Sequence, residues 1–296
     1  MSALNPMTPG VYTIEKSAFP PSVGEVPTAI PAFVGYTAKA DRNGKSLQNI
    51  PTLIGSLDEY NQLFGGAPLY QFPIIPVPDA VTGGPPAPGT YDFVVGGVNF
   101  YKIGPAQMQL YYNYNSIRMF YMNGGGQAYI VSVGIYDRGD GASNQMPNEQ
   151  DLLNGLELLK SIQFPKPTMI LIPDALAINS TSNVENMVVQ QQMIAQAGEL
   201  MDRVAILDVW NGYEGLNSTV IPDFRESVGV SYLDYAISYY PWLECAVVED
   251  TEITAANLFR SSTTPTSTDP QYLEAVIKGY PQVASLNTLS ADLKNI

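Results

Sequence analysis

Two aspartates stand where carboxylates could hold a ligand or a metal ion. Asp174 and Asp208 each lie at the C-terminal end of a predicted apolar strand. Doubly wound parallel sheets bind ligands at this edge, and paired carboxylates there suit Mg²⁺. The alternative is that each acid caps the loop or helix that follows it. We favour capping because no phosphate-binding lysine, Asp-x-Asp spacing or serine nucleophile accompanies the pair. A magnesium-dependent hydrolase using both residues stays open as an alternative.

Glycines and arginines offer further candidate ligand sites. The triple glycine at 124–126 could hold a phosphate, but it ends a predicted helix and precedes a strand, the reverse of phosphate-binding geometry. We therefore interpret it as a helix C-cap with a chain reversal. Arg203 and Arg225 are either ligand anchors or ion-pair partners of Asp202 and Glu226, and we favour ion pairs.

Aromatic residues and the single cysteine also have two interpretations. Cys245 is predicted to be a small buried hydrophobe, because no base is at hand to activate it as a nucleophile. The aromatic cluster could stack on bases or sugars, whereas helical spacing places about half of it in a core and leaves the rest for an interface. Its members are Tyr111, Tyr112, Tyr114, Phe120 and Tyr121.

The composition excludes several classes of enzyme. The 296 residues include no His and one Cys, which removes Ser-His-Asp and Cys-His catalysis, histidine metal sites and disulfides within the chain. Only 14% of residues are charged while 45% are hydrophobic, and 19 are Tyr, so much of the surface is uncharged. We expect no enzyme, no cofactor and no metal.

The charge distribution limits the partners. The net charge is −14, of which residues 1–148, with seven basic and nine acidic residues, carry −2, and residues 149–296, with seven and 19, carry −12. Binding to nucleic acid is not expected because no basic surface can neutralise phosphates. The sequence has neither an apolar run of membrane-spanning length nor a signal peptide, which predicts synthesis in the cytoplasm, no membrane insertion and no export by the general secretory route.

Apolar strands alternate with helices along the chain. Because the strands are wholly apolar and the crossovers are about thirty residues long, the pattern predicts parallel pairing with helices on the faces. The predicted fold class is α/β, with a parallel-rich sheet flanked by helices, an extended N-terminal arm and a β-rich surface insertion. Strands are predicted at 28–36, with Pro31 at an edge or bulge, and at 128–133, 168–172, 204–209 and 232–242. Helices are predicted after Ser56, from 107 to Gly124, after Asn148, over 184–203 and near Asp223.

Five segments follow from this pattern. Residues 1–28 form a proline-rich arm, 29–66 the first part of the core, 67–106 a surface insertion with hairpins, and 107–248 the α/β core. Residues 249–296 are predicted to be an acidic, polar linker followed by the start of a C-terminal region with helical spacing. The arm contains one alternating strand that has no local partner, so it must pair with a distant segment or another chain.

Taken together, six segments resemble the tail sheath proteins of contractile phages and phage-tail-like injection particles. They occur in the family's order and spacing between residues 8 and 243. The resemblance breaks off there: two segments typical of the family's C-terminal domain are missing, so we expect the chain to be a fragment of a longer protein. The segments are TPGVYTIEKS with GEVPTAIPAFVGYTA, FGG, SIRMFYMNGGGQAYIVSVG, IPDA, DRVAILDV and YAISYYPWL.

The resemblance implies a structural role. Sheath subunits form homohexameric rings stacked helically around an inner tube, bounded by baseplate and terminator or cap proteins. Contraction drives the tube through a target cell envelope. Such particles assemble in the bacterial cytoplasm and belong to a phage tail or an injection particle. The matching inter-subunit arm, which donates a strand to a neighbouring subunit, is Pro9, Gly10, Val11, Tyr12, Thr13 and Ile14. A non-contracting relative that shares the core, such as a cap, terminator or baseplate component, is the alternative.

Overall fold

The computed structural model describes residues 29–68, 72–77, 86–88, 90, 93–95, 99–103, 111–136, 147–178, 182–215, 219–243, 245–248, 252 and 257–260. The strands are β1 Pro31–Thr37, β2 Asp41–Arg42, β3 Lys45–Ser46, β4 Thr52–Ile54, β5 Phe72–Val77, β6 Phe93–Val95, β7 Asn99–Ile103, β8 Ala128–Ile135, β9 Met169–Leu171, β10 Val204–Leu207, β11 Ala236–Ser238 and β12 Leu258–Arg260. The helices are α1 Leu57–Phe64, α2 Asn113–Met122, α3 Glu149–Leu158, α4 Val184–Leu200 and α5 Val220–Val228, with 3-10 turns at Leu159–Ser161, Pro173–Ala177 and Leu233–Tyr235.

A six-stranded sheet forms the centre of the fold. Its order is β11-β10-β9-β1-β8-β4, and every pair is parallel except β4 with β8. The mostly parallel sheet flanked by helices confirms this part of the predicted fold class. Helical crossovers bring the chain back to the same end of the sheet each time, so the carboxyl ends of β1, β8, β9 and β10 lie along one edge.

Strand β1 lies in the middle of this sheet, between β9 and β8. The prediction that Pro31 marks a sheet edge or bulge is therefore wrong. Pro31 is the first residue of the strand and pairs with Met169 of β9, whereas pairing with β8 begins one residue later, at Ala32. A proline is tolerated at the start of a central strand because its missing N–H removes no bond from the ladder there. The bulge occurs instead between Gly35 and Tyr36.

Alternate residues of β1 point to opposite faces of the sheet and belong to two separate cores. Ala32 and Val34 pack with the buried side chains of α3 and α4, while Phe33 packs with those of α1 and α2. All seven residues of β1 are buried, as expected for a central strand covered on both faces. Helix α3 approaches the sheet closely at Gly155, where an added Cβ would lie 2.5 Å from the Val34 side chain.

The helix boundaries follow the capping residues in the sequence. The Ser56 side chain accepts a hydrogen bond from the Glu59 N–H at 3.1 Å, and Asn148 accepts one from the Asp151 N–H at 2.8 Å. Both N-caps were predicted. The Glu59 carboxylate returns to the Gly55 N–H, one residue before the position that a standard capping box would use.

A second sheet is built from segments far apart in the sequence. Strands β5, β7 and β6 are antiparallel neighbours within the predicted insertion, and β12 pairs with β5 in parallel. The linker predicted at the start of residues 249–296 contains a strand, since Leu258–Arg260 form β12. An ion pair of 2.7 Å between Arg118 of α2 and Glu252 also holds the segment that leads to β12 against the rest of the fold.

Two predicted regions lie outside the described residues. They are the arm with its strand at residues 11–14 and the helical spacing of residues 270–296.

Among the described residues, no helix combines the length and the apolar character needed to cross a membrane.

Candidate functional site

The carboxylate of Asp174 is fully buried and joins three segments of the fold. It accepts hydrogen bonds from the backbone N–H groups of Tyr36 at 2.7 Å, Tyr112 at 2.7 Å and Asn113 at 2.9 Å. Tyr36 follows the point where the register between β1 and β8 shifts, with Val133 of β8 as the extra residue, and Tyr112 and Asn113 are the N-cap and first residue of α2. Asp174 therefore caps a helix that begins 61 residues earlier, instead of the turn in which it lies.

Two opposing effects act on the charge of Asp174. Burial raises the pKa of this carboxyl to about 6, and the backbone N–H groups of Tyr36, Asn113 and Tyr112 lower the pKa in part because they favour the ionised form. The N-terminal dipole of α2 favours the same negative charge. All of these donors belong to the backbone, which indicates a structural carboxylate.

Asp208 has a different environment. It directly follows β10, and its peptide carbonyl accepts a hydrogen bond from Gln190 Nε2 of α4 at 2.7 Å. Burial raises the pKa of its carboxyl to about 6, and no described residue donates a hydrogen bond to that carboxylate. Asp208 lies in the wall of a cavity of about 430 Å³, whereas Asp174 does not line that cavity.

This cavity lies between α2, the Pro173–Ala177 turn, the end of β10 and the segment after β11. The Trp242 indole forms part of its wall and donates from Nε1 to the Val209 carbonyl at 2.9 Å, which fixes the ring. Pro173 follows β9 and Asp208 follows β10, so the cavity opens at the carboxyl ends of two neighbouring parallel strands. The apolar lining residues are Met119, Pro173, Leu176, Pro241, Trp242, Leu243, Val247 and Val248; the polar ones are Tyr112, Asn115, Ser116, Asp208, Tyr239 and Cys245.

The sequence pairing of Asp174 with Asp208 as a magnesium site is not supported by this arrangement. The oxygens of Asp174 already accept three backbone hydrogen bonds, and only Asp208 faces the cavity. Within the described ranges, no three Asp, Glu, Cys or His side chains are grouped as metal ligands would be. The favoured interpretation, that each acid caps the loop or helix after it, is wrong for both residues: Asp174 caps α2, which lies earlier in the chain, and no described residue donates to the Asp208 carboxylate.

The other candidate residues have structural surroundings. Gly124 has a φ of +83°, and its N–H donates to the Tyr121 carbonyl, so the C-cap interpretation is confirmed. Arg203 forms the predicted ion pair with Asp202 at 2.7 Å and also donates to the Leu159 carbonyl. Arg225 is exposed on α5, and no ion pair between described residues involves it, so the predicted pair with Glu226 is not found.

The aromatic cluster divides between core and partly exposed positions, although Tyr111 precedes α2 and is therefore not buried through helical spacing. Tyr111 and Tyr114 are buried, whereas Tyr112, Phe120 and Tyr121 are partly exposed. The Tyr111 ring packs against Tyr36 and Tyr136 with centroids 5.8 and 4.8 Å apart, which makes it part of the core. Cys245 was predicted to be buried, but it is partly exposed and lines the cavity. The reason is that the chain after β11 forms part of the cavity wall.

Comparison of the sequence with protein-family models and with curated proteins finds no match.

The site residues that sequence reasoning missed are Trp242 and the backbone donors of Asp174. Trp242 forms part of the cavity wall only because the chain after β11 returns past β10. The Tyr36 N–H lies 138 positions from Asp174, so no local pattern connects the two. One local signal existed, since Gly35 in an otherwise bulky strand indicates a close approach by another group.

Proposed function

We propose that this chain is a structural subunit of a contractile sheath, which polymerises as stacked hexameric rings around an inner tube and contracts to drive the tube through a target cell envelope. The observation that carries the proposal is the ordered series of six sequence segments that resemble tail sheath proteins between residues 8 and 243. The partners are further copies of the chain, the inner tube protein, and baseplate and terminator or cap proteins.

The positions of these segments in the fold support a common origin for the series. The segments at 24–38, 116–134, 172–175, 202–209 and 235–243 contain or adjoin β1, β8, β9, β10 and β11. These five strands are consecutive neighbours in one sheet. Segments that share a sheet pack against one another, so these five are expected to be retained together in proteins that share the fold.

An exposed apolar surface also supports an assembling subunit. Val230, Tyr239 and Leu243 are 91%, 77% and 84% exposed, and they belong to the stretch of chain on either side of β11, the strand at one edge of the main sheet. Large apolar side chains with this degree of exposure favour contact with another protein where they are grouped. Tyr is a frequent interface residue because it contributes a large contact area for few rotatable bonds.

The acidic half of the chain suggests how contraction is regulated. Residues 149–296 carry a charge of −12. Repulsion or pairing between such surfaces on adjacent subunits changes the balance between a loose and a compact packing, and salt screens this effect. Contraction is therefore expected to depend on salt and pH. Contraction that is independent of both would contradict this part of the proposal.

Assembly through the arm is tested by sedimentation velocity and negative-stain electron microscopy. The chain is compared with a deletion of residues 1–16 and with the double variant Val11→Pro/Thr13→Pro, which removes two N–H donors from the expected strand. The control is Ser2→Pro/Ser17→Pro, which places prolines outside that strand. Tubes are expected from the unaltered chain and the control, and particles no larger than single rings from the other two.

Two outcomes would change the proposal. Monomeric particles from every variant would contradict a self-assembling sheath subunit. Tubes that keep one diameter and one rise per ring in all conditions would favour the non-contracting relative, since a contractile subunit is expected to populate two packings.

A further inference from the structure

The cavity beside Asp208 combines an apolar interior with a single charged residue. Its volume of about 430 Å³ lies in the range of sites that bind small molecules. It opens at the carboxyl ends of β9 and β10, where open parallel sheets bind ligands. Of the described residues that line it, Asp208 is the only one with a formal charge at neutral pH.

The nearby charges leave Asp208 uncompensated. Asp174 accepts the first N–H groups of α2, so the positive end of that helix is already neutralised. No described residue donates a hydrogen bond to the Asp208 carboxylate, although burial raises its pKa to about 6. Asp208 is partly exposed, but a carboxylate that is largely removed from water and has no donor is still unfavourable, and a cation that enters the cavity would offset that cost.

We propose that this cavity binds an organic ammonium ion on an apolar body, with Asp208 accepting from the ammonium group and the apolar wall burying the body. The aromatic residues in the wall suit the same ligand. Tyr112 and Trp242 line the cavity, and an ammonium group is attracted to the faces of such rings. Anions are disfavoured because they would face an uncompensated carboxylate. The proposal concerns a small ligand of the individual chain and does not depend on assembly into a sheath.

The probe is 2-phenylethylammonium, compared with the neutral alcohol of the same shape, 2-phenylethanol. Binding to the full chain is measured by isothermal titration calorimetry at pH 8, where the Asp208 carboxyl is ionised. A hydrogen bond to a charged acceptor predicts that the ammonium ion binds at least about tenfold more tightly than the alcohol.

Asp208→Asn tests the role of the carboxylate. In this variant the ammonium preference is expected to fall to about twofold or less, while the affinity for the alcohol stays within about twofold of the original. Unchanged binding of the alcohol also shows that the cavity is still formed. The matched control Asp234→Asn removes an exposed carboxylate outside the cavity and is expected to keep the full preference.

Cys245 provides a second readout at the site itself. It is the only cysteine of the chain and lines the cavity, so its alkylation by iodoacetamide reports occupancy. Saturating 2-phenylethylammonium is expected to slow alkylation at least about threefold. Leu176→Trp fills the cavity and is expected to abolish both calorimetric binding and this protection, which tests the site even if Asp208→Asn does not fold.

Any of three results would overturn the proposal. They are no binding of the ammonium probe, a preference for ammonium over alcohol that persists in Asp208→Asn, and calorimetric binding that leaves the alkylation rate of Cys245 unchanged.

Discussion

The carboxylate of Asp174 accepts a hydrogen bond of 2.7 Å from the backbone N–H of Tyr36, 138 positions away in the sequence. The same carboxylate holds the first turn of α2. One side chain thus joins β1, at the point where its register with β8 shifts, to the helix that covers it. The Tyr36 N–H faces the side of β1 on which β9 has already ended at Leu171, so the Asp174 carboxylate provides this N–H with its acceptor.

Asp174→Asn is expected to lower the free energy of unfolding by about 1–3 kcal/mol at pH 8. The amide keeps one acceptor oxygen, but its NH₂ group must face at least one backbone N–H donor. Even the protonated form of Asp174 avoids this clash between N–H groups, because both oxygens of the carboxyl can still accept hydrogen bonds. Urea unfolding measures the loss, and Asp234→Asn, at an exposed position, is the control. Equal stability of Asp174→Asn and the control would show that the three bonds contribute nothing.

The pH dependence of that loss has a definite sign. The pKa of Asp174 is raised to about 6 in the folded protein, above its value of 3.8 in a free side chain. Its stabilising contribution is therefore greatest at low pH and declines as pH rises through about 6. The loss in Asp174→Asn is expected to be larger at pH 5 than at pH 8 by about 1 kcal/mol. A smaller loss at pH 5 would mean that the three N–H groups outweigh burial and lower the pKa.

Asp208→Asn is expected to have the opposite effect. The pKa of Asp208 is also raised to about 6, but no described residue donates to its carboxylate. Removal of this charge is expected to raise the free energy of unfolding at pH 8 by up to about 3 kcal/mol, and the gain is expected to shrink as pH falls towards 4. Urea unfolding of the variant and the unaltered chain at pH 5 and pH 8 measures the gain in stability and its decrease at lower pH. A stability lower than that of the unaltered chain at pH 8 would indicate a donor to this carboxylate.

Gly35→Ala tests the close approach at the bulge. A Cβ at this position would lie 2.6 Å from Asp174 Oδ2 and 2.7 Å from Asn113 Cγ. Both neighbours are buried and hydrogen-bonded, so the variant is expected to unfold more easily by about 1–3 kcal/mol. Thermal and urea unfolding measure this, with Gly126→Ala as control because nothing lies within 4 Å of its added Cβ. A change no greater than in the control would contradict the packing at the bulge.

Gly155→Ala is expected to destabilise the protein although alanine favours helices. In an exposed helix the change would stabilise by about 1 kcal/mol. Here the added methyl would lie 2.4 Å from Val133 Cγ1 and 2.5 Å from Val34 Cγ1. The double variant Gly155→Ala/Val133→Ala is expected to lose less stability than the two single changes summed, because the smaller neighbour relieves the contact. Additive losses in urea unfolding would contradict this contact.

Local patterns predicted the caps and the core elements of the fold. Ser56 and Asn148 were identified as N-caps because the bonds they make lie within four residues. The parallel core was predicted because apolar strands and amphipathic helices alternate. Pro31 was wrongly placed at a sheet edge because proline has no N–H to donate to a neighbouring strand. Only the register shows that Pro31 is the first residue of β1, where no N–H donor is needed.

Contacts between distant segments were not predictable in the same way. The pairing of β12 with β5 joins residues more than 180 positions apart, in a stretch whose composition favours a linker. The different surroundings of Asp174 and Asp208 have the same origin. Both residues follow apolar strands, but only Asp174 meets the backbone of β1 and α2.

The most direct measurement for the proposed function is electron cryo-microscopy of the purified chain at high concentration, with rotational averaging of end-on views. A sheath subunit predicts hollow tubes with sixfold symmetry, which are lost when residues 1–16 are deleted. Monodisperse single chains, or assemblies without sixfold symmetry, would contradict the proposal.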